Sequence, residues 1–326
     1  MTAAIDPVPA CSVDARVVRC SDVCREHVLI EVVVPDFPPS QPGQFLQILC
    51  RSVDVPEPAV LDWPADGFPS LGAAAAAGRE AYLRRPFSIA DRWTASDGGE
   101  HVCVISRAVG PGTRWLEGLK PDSVLNITGP LGRGFVIPDG QRPLVLIGGG
   151  VGIPPLLYLA RRLDELGRRD VTAVLGVMTR DLLPLQVRSA PASDGTPTPC
   201  VEFPAAVRVP TAVTSDDGSI GLRGVVTDAL WVWDERRGTV GERPLVFACG
   251  PEAMLKAVAR VTRELVMACQ LCIERSMGCG VGTCLSCVVR ARDEAHPEAW
   301  RWKLTCQDGP VFERDELLDY EGEPGA

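Results

Sequence analysis

The sequence predicts a protein of three parts: an antiparallel Greek-key β-barrel, a parallel α/β domain and a small cysteine-rich module. Three observations predict this order. Short β-rich runs fill the first part, strand and helix patterns alternate in the second, and six of the thirteen cysteines fall in the last 59 residues. A chain of 326 residues is long enough for about two to three domains. We place their boundaries at 1–140, 141–267 and 268–326.

The composition excludes several classes of protein. Hydrophobic residues make up 46% and charged residues 23% of the chain, as in ordinary soluble proteins. The formal net charge of -9 argues against a nucleic-acid-binding protein, which needs a basic face. No apolar run reaches the roughly 18 residues that cross a bilayer, and the first ten residues have no signal-peptide pattern. We therefore expect a cytoplasmic protein that binds neither nucleic acid nor membrane.

The first part carries five β-rich runs with prolines and glycines between them: ARVVRC, HVLIEVVV, QFLQILC, HVCVISRA and VLNIT. Regular short strands of this kind are typical of an antiparallel barrel or sandwich. A segment rich in Pro, Gly and Ala interrupts them near residues 53–80, where we expect a surface insertion.

Strand and helix patterns alternate from Arg142 onward. PLVLIGGG is an apolar run that ends in glycines, and PPLLYLARRLDELG has leucines at helical spacing, with prolines at its start and a glycine at its end. VTAVLGV, PLVFACG and PEAMLKAVARVTRELV repeat the pattern, which is typical of a parallel α/β domain. The low-complexity stretch at 188–210 predicts a loop.

The last part contains a cysteine pattern with a known metal chemistry. Three cysteines have C-x4-C-x2-C spacing and a fourth follows after eighteen residues: Cys279, Cys284, Cys287 and Cys306. This is the plant-type spacing for a 2Fe-2S cluster. Gly278, Gly280 and Gly282 allow the backbone to wrap closely and to point N–H groups at the sulfurs. A structural zinc site is the alternative, but it commonly uses two short C-x2-4-C knuckles, and only one short pair is present.

The other cysteines predict no metal site. Six of them are most simply small buried or surface thiols: Cys11, Cys20, Cys24, Cys50, Cys103 and Cys200. Cys269 and Cys272 form a C-x2-C on an expected strand, where alternation places them on opposite faces. They are therefore not expected to form a redox pair with each other.

Two motifs of the α/β domain lie where a nucleotide could bind. The glycine motif at 148–152 stands between a strand and a helix, where backbone N–H groups can face a pyrophosphate; Ile153 replaces the third glycine of the dinucleotide fingerprint, so a tight turn is an equal alternative. Cys249 and Gly250 end another strand at the edge where open α/β sheets bind ligands, but a strand-ending turn has the same pattern.

Two tetrapeptides of the barrel are weaker signals: RPFS at 85–88 and GPGT at 110–113. A guanidinium can hold a phosphate with two hydrogen bonds, and a serine hydroxyl can bond to a ring nitrogen. Either tetrapeptide is equally compatible with a turn.

The order of motifs resembles one family closely. Eight segments carry the resemblance: RRPFSIAD, VGPGT, GPLGRGF, LIGGGVGIPP, TSDDGSIGLRGVVTD, FACGPEAMLKAV, ERSMGCGVGTCLSCVV and CQDGPVF. They resemble the electron-transfer subunit of the NAD-dependent, two-subunit dihydroorotate dehydrogenase, a branch of the ferredoxin reductase superfamily. The resemblance runs from about Val13 to Leu318. The insertion at 53–80 is longer than the family usually has.

The resemblance implies roles for individual positions. FAD would be held by nine barrel residues: Arg85, Pro86, Phe87, Ser88, Ile105, Ser106, Arg107, Gly112 and Thr113. The nicotinamide dinucleotide, NAD(H), would lie on seven residues of the α/β domain: Gly148, Gly149, Gly150, Val151, Gly152, Cys249 and Gly250. The four cysteines of the C-x4-C-x2-C pattern and its distant partner would ligate the 2Fe-2S cluster. No residue is assigned a catalytic acid or base role.

The resemblance also implies an oxidoreductase subunit of pyrimidine biosynthesis. A separate FMN-containing dihydroorotate dehydrogenase catalytic subunit would pass electrons to the cluster, then to FAD and finally to NAD+, in an expected heterotetramer. This chain lacks the eight strand-helix units that a catalytic flavin barrel requires. The choice between NAD and NADP stays open, because Arg180 could face a 2′-phosphate or be a surface charge.

Three other functions compete with this one. The chain could be the reductase subunit of a sulfide dehydrogenase or of a ferredoxin:NADP oxidoreductase. It could be a self-contained oxygenase reductase, although the attached ferredoxin domain would be longer than 59 residues. It could also be a non-catalytic, cluster-binding redox sensor, which would not show flavin reduction by NADH.

Overall fold

The structure is a computed structural model that describes residues 10–53, 66, 81, 83–238, 241–293, 296 and 299–321. The insertion predicted at 53–80 lies outside the described residues except at its first position and at position 66. The described part forms two seven-stranded sheets and one two-stranded ribbon. No helix in this part is long and apolar enough to span a membrane.

The first sheet is antiparallel and rolls up into a barrel. Its strands are β1 (Cys11–Cys24), β2 (His27–Val34), β3 (Phe45–Ile48), β4 (Arg85–Ser88), β5 (Asp91–Thr94), β6 (Glu100–Arg107) and β7 (Val124–Leu131), in the order β4-β3-β7-β1-β2-β6-β5. β4 and β5 lie at opposite ends of this order, yet only Ile89 and Ala90 separate them. The N–H of Ile89 donates to Gln44 O on one edge and that of Ala90 to Cys103 O on the other. The two edges therefore meet, as the sequence predicts for a barrel.

The second sheet is parallel over its first six strands. They are β8 (Leu144–Gly149), β9 (Val171–Val177), β10 (Thr211–Ser215), β11 (Leu222–Arg223), β12 (Leu245–Cys249) and β13 (Ala268–Cys272), in the order β11-β10-β9-β8-β12-β13. Within the described ranges, four helices accompany the two sheets: α1 (Pro111–Glu117), α2 (Ile153–Glu165), α3 (Val226–Arg237) and α4 (Glu252–Glu264). Apolar side chains cover both faces of this sheet, so its strands read as continuous hydrophobic runs.

The sequence explains why α2 begins and ends where it does. Pro154 lies in the first turn, where its missing N–H costs no hydrogen bond. Leu156, Leu159 and Leu163 follow at helical spacing and are buried. Gly167, with a φ of 69°, follows the last turn. The helix therefore projects directly from the glycine motif at the end of β8.

The predicted loop at 188–210 is packed into the core. It contains a short 3₁₀ turn, Pro204–Ala206, and single β-bridges rather than a regular strand. Cys200 and Phe203 are buried in the same core as α2. Low complexity thus predicted the loop, but it gave no sign of this packing.

The C-terminal module is tied to the second sheet. β14 (Val288–Arg292) and β15 (Trp300–Leu304) form an antiparallel ribbon, and β16 (Val311–Glu313) pairs antiparallel with β13. β13 itself follows the boundary predicted at 267, but it pairs with β12 of the α/β domain. The strands before and after the cysteine loop, β13 and β16, therefore both belong to the second sheet.

Candidate functional site

A cavity of about 610 Å³ lies where the barrel, the parallel sheet and the C-terminal module meet. Small-molecule sites usually have about 300–1,000 Å³. The barrel contributes 85–88 and 109–113, and the α/β domain contributes 151–152 and 249–250. The chain leading into the cysteine loop adds 272–275. Motifs that lie far apart in the sequence therefore line one cavity.

The two neighbouring arginines at the start of β4 have different surroundings. Arg84 Nη1 donates to the carbonyl oxygens of Gln47 and Asn126 at 3.2 and 3.3 Å, so it fastens β4 to the barrel. Arg85 lines the cavity, is exposed and donates to Leu83 O at 3.2 Å. Among the described residues no carboxylate pairs with it. Arg85 is therefore the guanidinium that can bind an anionic ligand.

β6 presents alternate residues to the cavity. Ile105 and Arg107 line it, whereas Ser106 points to the opposite side, where its hydroxyl is buried without a described hydrogen-bond partner. The structure therefore does not bring Ser106 into the predicted FAD site. Arg107 is paired with Glu26 through Nε and Nη2 at 3.0 and 2.9 Å, and these hydrogen bonds lower the pKa of Glu26.

The turn before α1 uses its threonine internally. Thr113 Oγ1 accepts hydrogen bonds from the N–H groups of Val109 and Gly110, both at 2.9 Å, and donates to Gly110 O at 3.0 Å. A Cβ on Gly112 would lie 2.9 Å from Ala81 Cβ and too close to Cys50. The turn therefore has a fixed shape, and the Thr113 hydroxyl is used in hydrogen bonds within it.

The glycine motif at 148–152 differs along its length: its last two residues line the cavity, and its first three do not. Gly148 and Gly149 are buried strand residues packed against side chains of the α/β domain, and Gly150 is the turn residue with a φ of 51°. None of these three lines the cavity, whereas Val151 and Gly152 do. Within this cavity, the motif therefore offers Val151 and Gly152 for the predicted contact with a dinucleotide.

Gly152 approaches the end of β12 very closely. A Cβ at this position would lie 2.2 Å from Cys249 O and 2.4 Å from Gly250 N, closer than any real contact. Only glycine fits between the two strand ends. This explains physically why the loop after β8 and the Cys249-Gly250 pair form one continuous surface.

The four cysteines of the C-terminal module form two pairs. Cys279 Sγ accepts hydrogen bonds from the N–H groups of Val281 and Cys284, both at 3.4 Å, and the Cys279 and Cys284 thiols interact. Cys287 and Cys306 pack in one small buried cluster and are hydrogen-bonded through their side chains. An electrostatic interaction with Cys279 also raises the pKa of Cys306, so the two pairs lie close to each other.

The two pairs differ in exposure and acidity. Cys284 is exposed, and hydrogen bonds from the side chain and backbone of Ser286 lower its pKa to about 6. Burial raises the pKa of Cys306 to about 12. Metal binding requires thiolates, so a bound cation has to stabilise the buried one.

The arrangement fits the predicted cluster. The four donors are all thiols and stand in two neighbouring pairs, and a 2Fe-2S cluster takes two cysteine ligands at each iron. Four cysteines also suit a structural zinc ion, so the thiols by themselves do not distinguish the two predictions.

The cysteine loop packs directly on the barrel. Gly280 has a φ of 74°, and a Cβ there would lie 2.3 Å from Nε2 of Gln47 in β3. Phe45, also in β3, and Met277 line the cavity and pack with Cys287 in the small apolar cluster. Apolar side chains therefore fill the short space between the cavity and the thiols.

Comparison with known proteins identifies the family that has these motifs. A family model described as the iron-sulfur cluster binding domain of dihydroorotate dehydrogenase B matches residues 274–318. A relative from Caldanaerobacter subterraneus subsp. tengcongensis, named dihydroorotate dehydrogenase B (NAD(+)), electron transfer subunit, is 33% identical over 277 residues, 85% of this chain and 87% of the relative. A relative of the same name from Shouchella clausii is 34% identical over 282 residues, 86% and 87% of the two chains. This chain belongs to that family.

Solved structures share the fold of this chain. The NADH-dependent reduced ferredoxin-NADP oxidoreductase, studied for flavin-based electron bifurcation, superposes with a TM-score of 0.66 at 27% identity, over 93% of this chain and 89% of that chain. The ferredoxin reductase in carbazole 1,9a-dioxygenase gives 0.55 at 21% identity, over 80% and 67%, which shows the fold alone. The predicted family, fold class and oxidoreductase function are confirmed, and the matched domain makes the cysteine module an iron-sulfur module.

Sequence reasoning missed three residues of the electron transfer subunit's site. Phe45 and Met277 lie in ordinary strand and loop patterns, and only the packing of the module on β3 brings them together. Cys272 ends the strand beside Cys249, and both line the cavity. The carboxyl ends of parallel strands lie at one edge of a sheet, but only the structure shows that these two strands are neighbours.

Proposed function

We propose that the subunit carries electrons between a dihydroorotate-oxidising catalytic partner and NAD+. Its cofactors are FAD, a 2Fe-2S cluster and NAD(H). A flavin exchanges two electrons with a nicotinamide and single electrons with an iron-sulfur cluster, and it therefore connects the two. The protein's own task is to position these groups and keep water out between them.

Residues of the cavity would hold the two nucleotides. Arg85 would bind a phosphate of FAD, while Ser88 and the fixed turn at Gly112 would shape the flavin side of the cavity. Gly152 and the Cys249-Gly250 pair would form the floor for the nicotinamide. Support comes from the placement of these residues around one cavity of suitable volume.

One observation carries the proposal: Phe45 and Met277 belong both to the cavity wall and to the apolar cluster around the cysteines. A cluster held by the four thiols would therefore be separated from a molecule in the cavity by a layer of one or two side chains. A short, water-free separation of this kind suits electron transfer and requires no movement of the module.

The partner would bind on the cysteine side. Val281 and Leu285 flank the exposed Cys284 and are themselves exposed, and Trp300 and Trp302 are exposed on the ribbon of the same module. Exposed apolar side chains beside a redox centre are typical of a surface that another protein covers. The partner would be the FMN-containing catalytic subunit, in a heterotetramer located in the cytoplasm.

An anaerobic reconstitution tests the proposal. The purified, cofactor-loaded subunit should be reduced by NADH, with bleaching of both flavin and cluster absorbance, and should not react with dihydroorotate. Addition of the catalytic subunit should give NAD+-dependent orotate formation. Reduction of the isolated subunit by dihydroorotate, or reduction by NADPH with no response to NADH, would contradict the proposal, the second result favouring the ferredoxin:NADP oxidoreductase alternative.

A further inference from the structure

Two cysteines meet in the wall of the cavity. Cys249 ends β12 and Cys272 ends β13, and the two residues are directly paired in the parallel register. They are 8% and 4% exposed, lie in the same core and line the cavity. Neither belongs to the four cysteines of the iron-sulfur module.

The two thiols lie close enough to influence each other. The neighbouring Cys272 thiol, and after it burial, raises the pKa of Cys249, while Cys272 Sγ donates a hydrogen bond to Gly43 O at 3.9 Å. Directly paired residues share a face of the sheet, and neighbouring strands lie about 4.8 Å apart. Disulfides form between Cα atoms about 4.4–6.8 Å apart. A bridge therefore requires only local adjustment of the side chains.

Cys269 provides the contrast. It lies three residues earlier on the same strand and is also buried, but it packs in the core on the opposite face of the sheet. Burial raises its pKa to about 12. Cys269 is thus a cysteine on the same strand as Cys272 that does not line the cavity.

We propose that Cys249 and Cys272 form a dithiol site that closes to a reversible cross-strand disulfide when a small organic disulfide enters the cavity. One cysteine, as thiolate, attacks the small disulfide, forms a mixed disulfide and releases one thiol. The second cysteine then attacks the protein-bound sulfur, which closes the bridge and releases the second thiol. Two cysteine thiols are oxidised to one disulfide, and one small disulfide is reduced to two thiols.

The burial of the pair sets how fast this happens and how easily it reverses. Protonated, buried thiols are poor nucleophiles, so the first step is slower than for a thiol in water. The bridge would line the cavity, where a small thiol can reach it and reopen it by the reverse exchange. The site therefore suits a slow, reversible response rather than rapid turnover.

Closing the bridge would affect the nucleotide site, a consequence that rests on the proposed function. Cys249 O lies against Gly152, where not even a methyl group fits. The bridge would hold the Cys249 side chain, which lines the cavity beside Gly152, in a new position and so change the surface on which the nicotinamide would lie. We expect the disulfide to weaken NAD+ binding by about fivefold or more.

The test uses the subunit loaded with FAD and the cluster but free of NAD(H), and the probe 4,4′-dithiodipyridine. Wild type, Cys272→Ser and Cys269→Ser are treated, digested without reductant and mapped by mass spectrometry. The wild type and Cys269→Ser should yield a peptide joined through Cys249 and Cys272 that dithiothreitol separates. Cys272→Ser should yield Cys249 free or with a thiopyridyl group. A Cys272→Ala variant replaces the serine variant if that one fails to fold.

The outcomes separate the site from its consequence. Recovery of Cys249 and Cys272 on unlinked peptides, from wild type that keeps its circular dichroism spectrum, overturns the dithiol site. A linked peptide with unchanged NAD+ affinity in equilibrium dialysis overturns the coupling to the nucleotide. Absence of NAD+ binding before oxidation counts against the proposed function and leaves the disulfide result intact.

Discussion

Replacing Gly152 by alanine perturbs the contact on which the nucleotide surface depends. The new Cβ would lie 2.2 Å from Cys249 O, where ordinary contacts begin at 3.4 Å, so the loop or the end of β12 has to move by about 1.2 Å. Overpacking of this kind costs about 1–3 kcal/mol. A misplacement of about 1 Å in a reacting geometry can reduce a rate about 100-fold. We therefore expect a large loss of flavin reduction by NADH with a modest loss of stability.

Anaerobic stopped-flow absorbance measures the rate of flavin reduction by NADH, and thermal unfolding measures the stability. Gly118→Ala is the matched control, because Gly118 has a φ of -82° and a Cβ there would make an ordinary contact of 3.4 Å with Trp115 O. The control should keep the wild-type rate. A Gly152→Ala rate within about threefold of wild type, in a folded protein, would refute the reasoning, since the strand ends would then tolerate the shift.

Three further changes test the site and the fold. Cys306→Ser should abolish the visible absorbance of the cluster in anaerobically prepared protein, whereas Cys11→Ser, which alters a half-buried thiol of the barrel, should leave it intact; equal cluster content in both would exclude Cys306 as a ligand. Phe45→Leu should slow the reduction of the cluster more than that of the flavin in the same stopped-flow trace, because it opens the apolar layer between them; equal slowing of both phases would contradict this. Desolvation raises the pKa of Glu313, which accepts a hydrogen bond from Gln270, but part of this side chain is exposed to solvent, so its ionisation opposes folding only weakly as the pH rises above the unfolded pKa of about 4.3. Glu313→Gln should therefore raise the melting temperature slightly at pH 7 but not at pH 4, and an equal rise at both values would exclude a charge effect.

The fold class could be predicted from local patterns in the sequence, namely glycines and cysteines at fixed spacing, strand alternation and helix-starting prolines. The family resemblance, rather than these patterns, pointed to Arg85, Gly112 and Cys249, which line the cavity. Ser106 shows the limit of motif reasoning, because consecutive strand residues point to opposite sides and only one side meets the cavity. Individual cofactor contacts stay predictions.

What could not be predicted depends on contacts between distant segments. Phe45 and Met277 are separated by most of the chain, and no local pattern indicates that the cysteine loop packs on β3. The pairing of Cys249 with Cys272 depends on the order and register of two strands, which a single sequence does not specify. Gly152 was identified as part of a motif, but its close approach to Cys249 O follows only from the packing of two strand ends.

The antiparallel pairing of β16 with β13 fastens the C-terminal module to the second sheet. A redox carrier on a flexible linker must dock anew for every electron, and docking then limits its speed. Here the chain leaves the parallel sheet, builds the iron-sulfur loop and returns to the edge of that same sheet, so donor and acceptor stay at a constant separation. Cutting the chain before the loop would remove β16 and leave β13 paired on one side only, with β12. An uncovered strand edge of this kind promotes aggregation. The electron-carrying module is therefore part of the nucleotide domain's framework and not an attachment that can be removed from it.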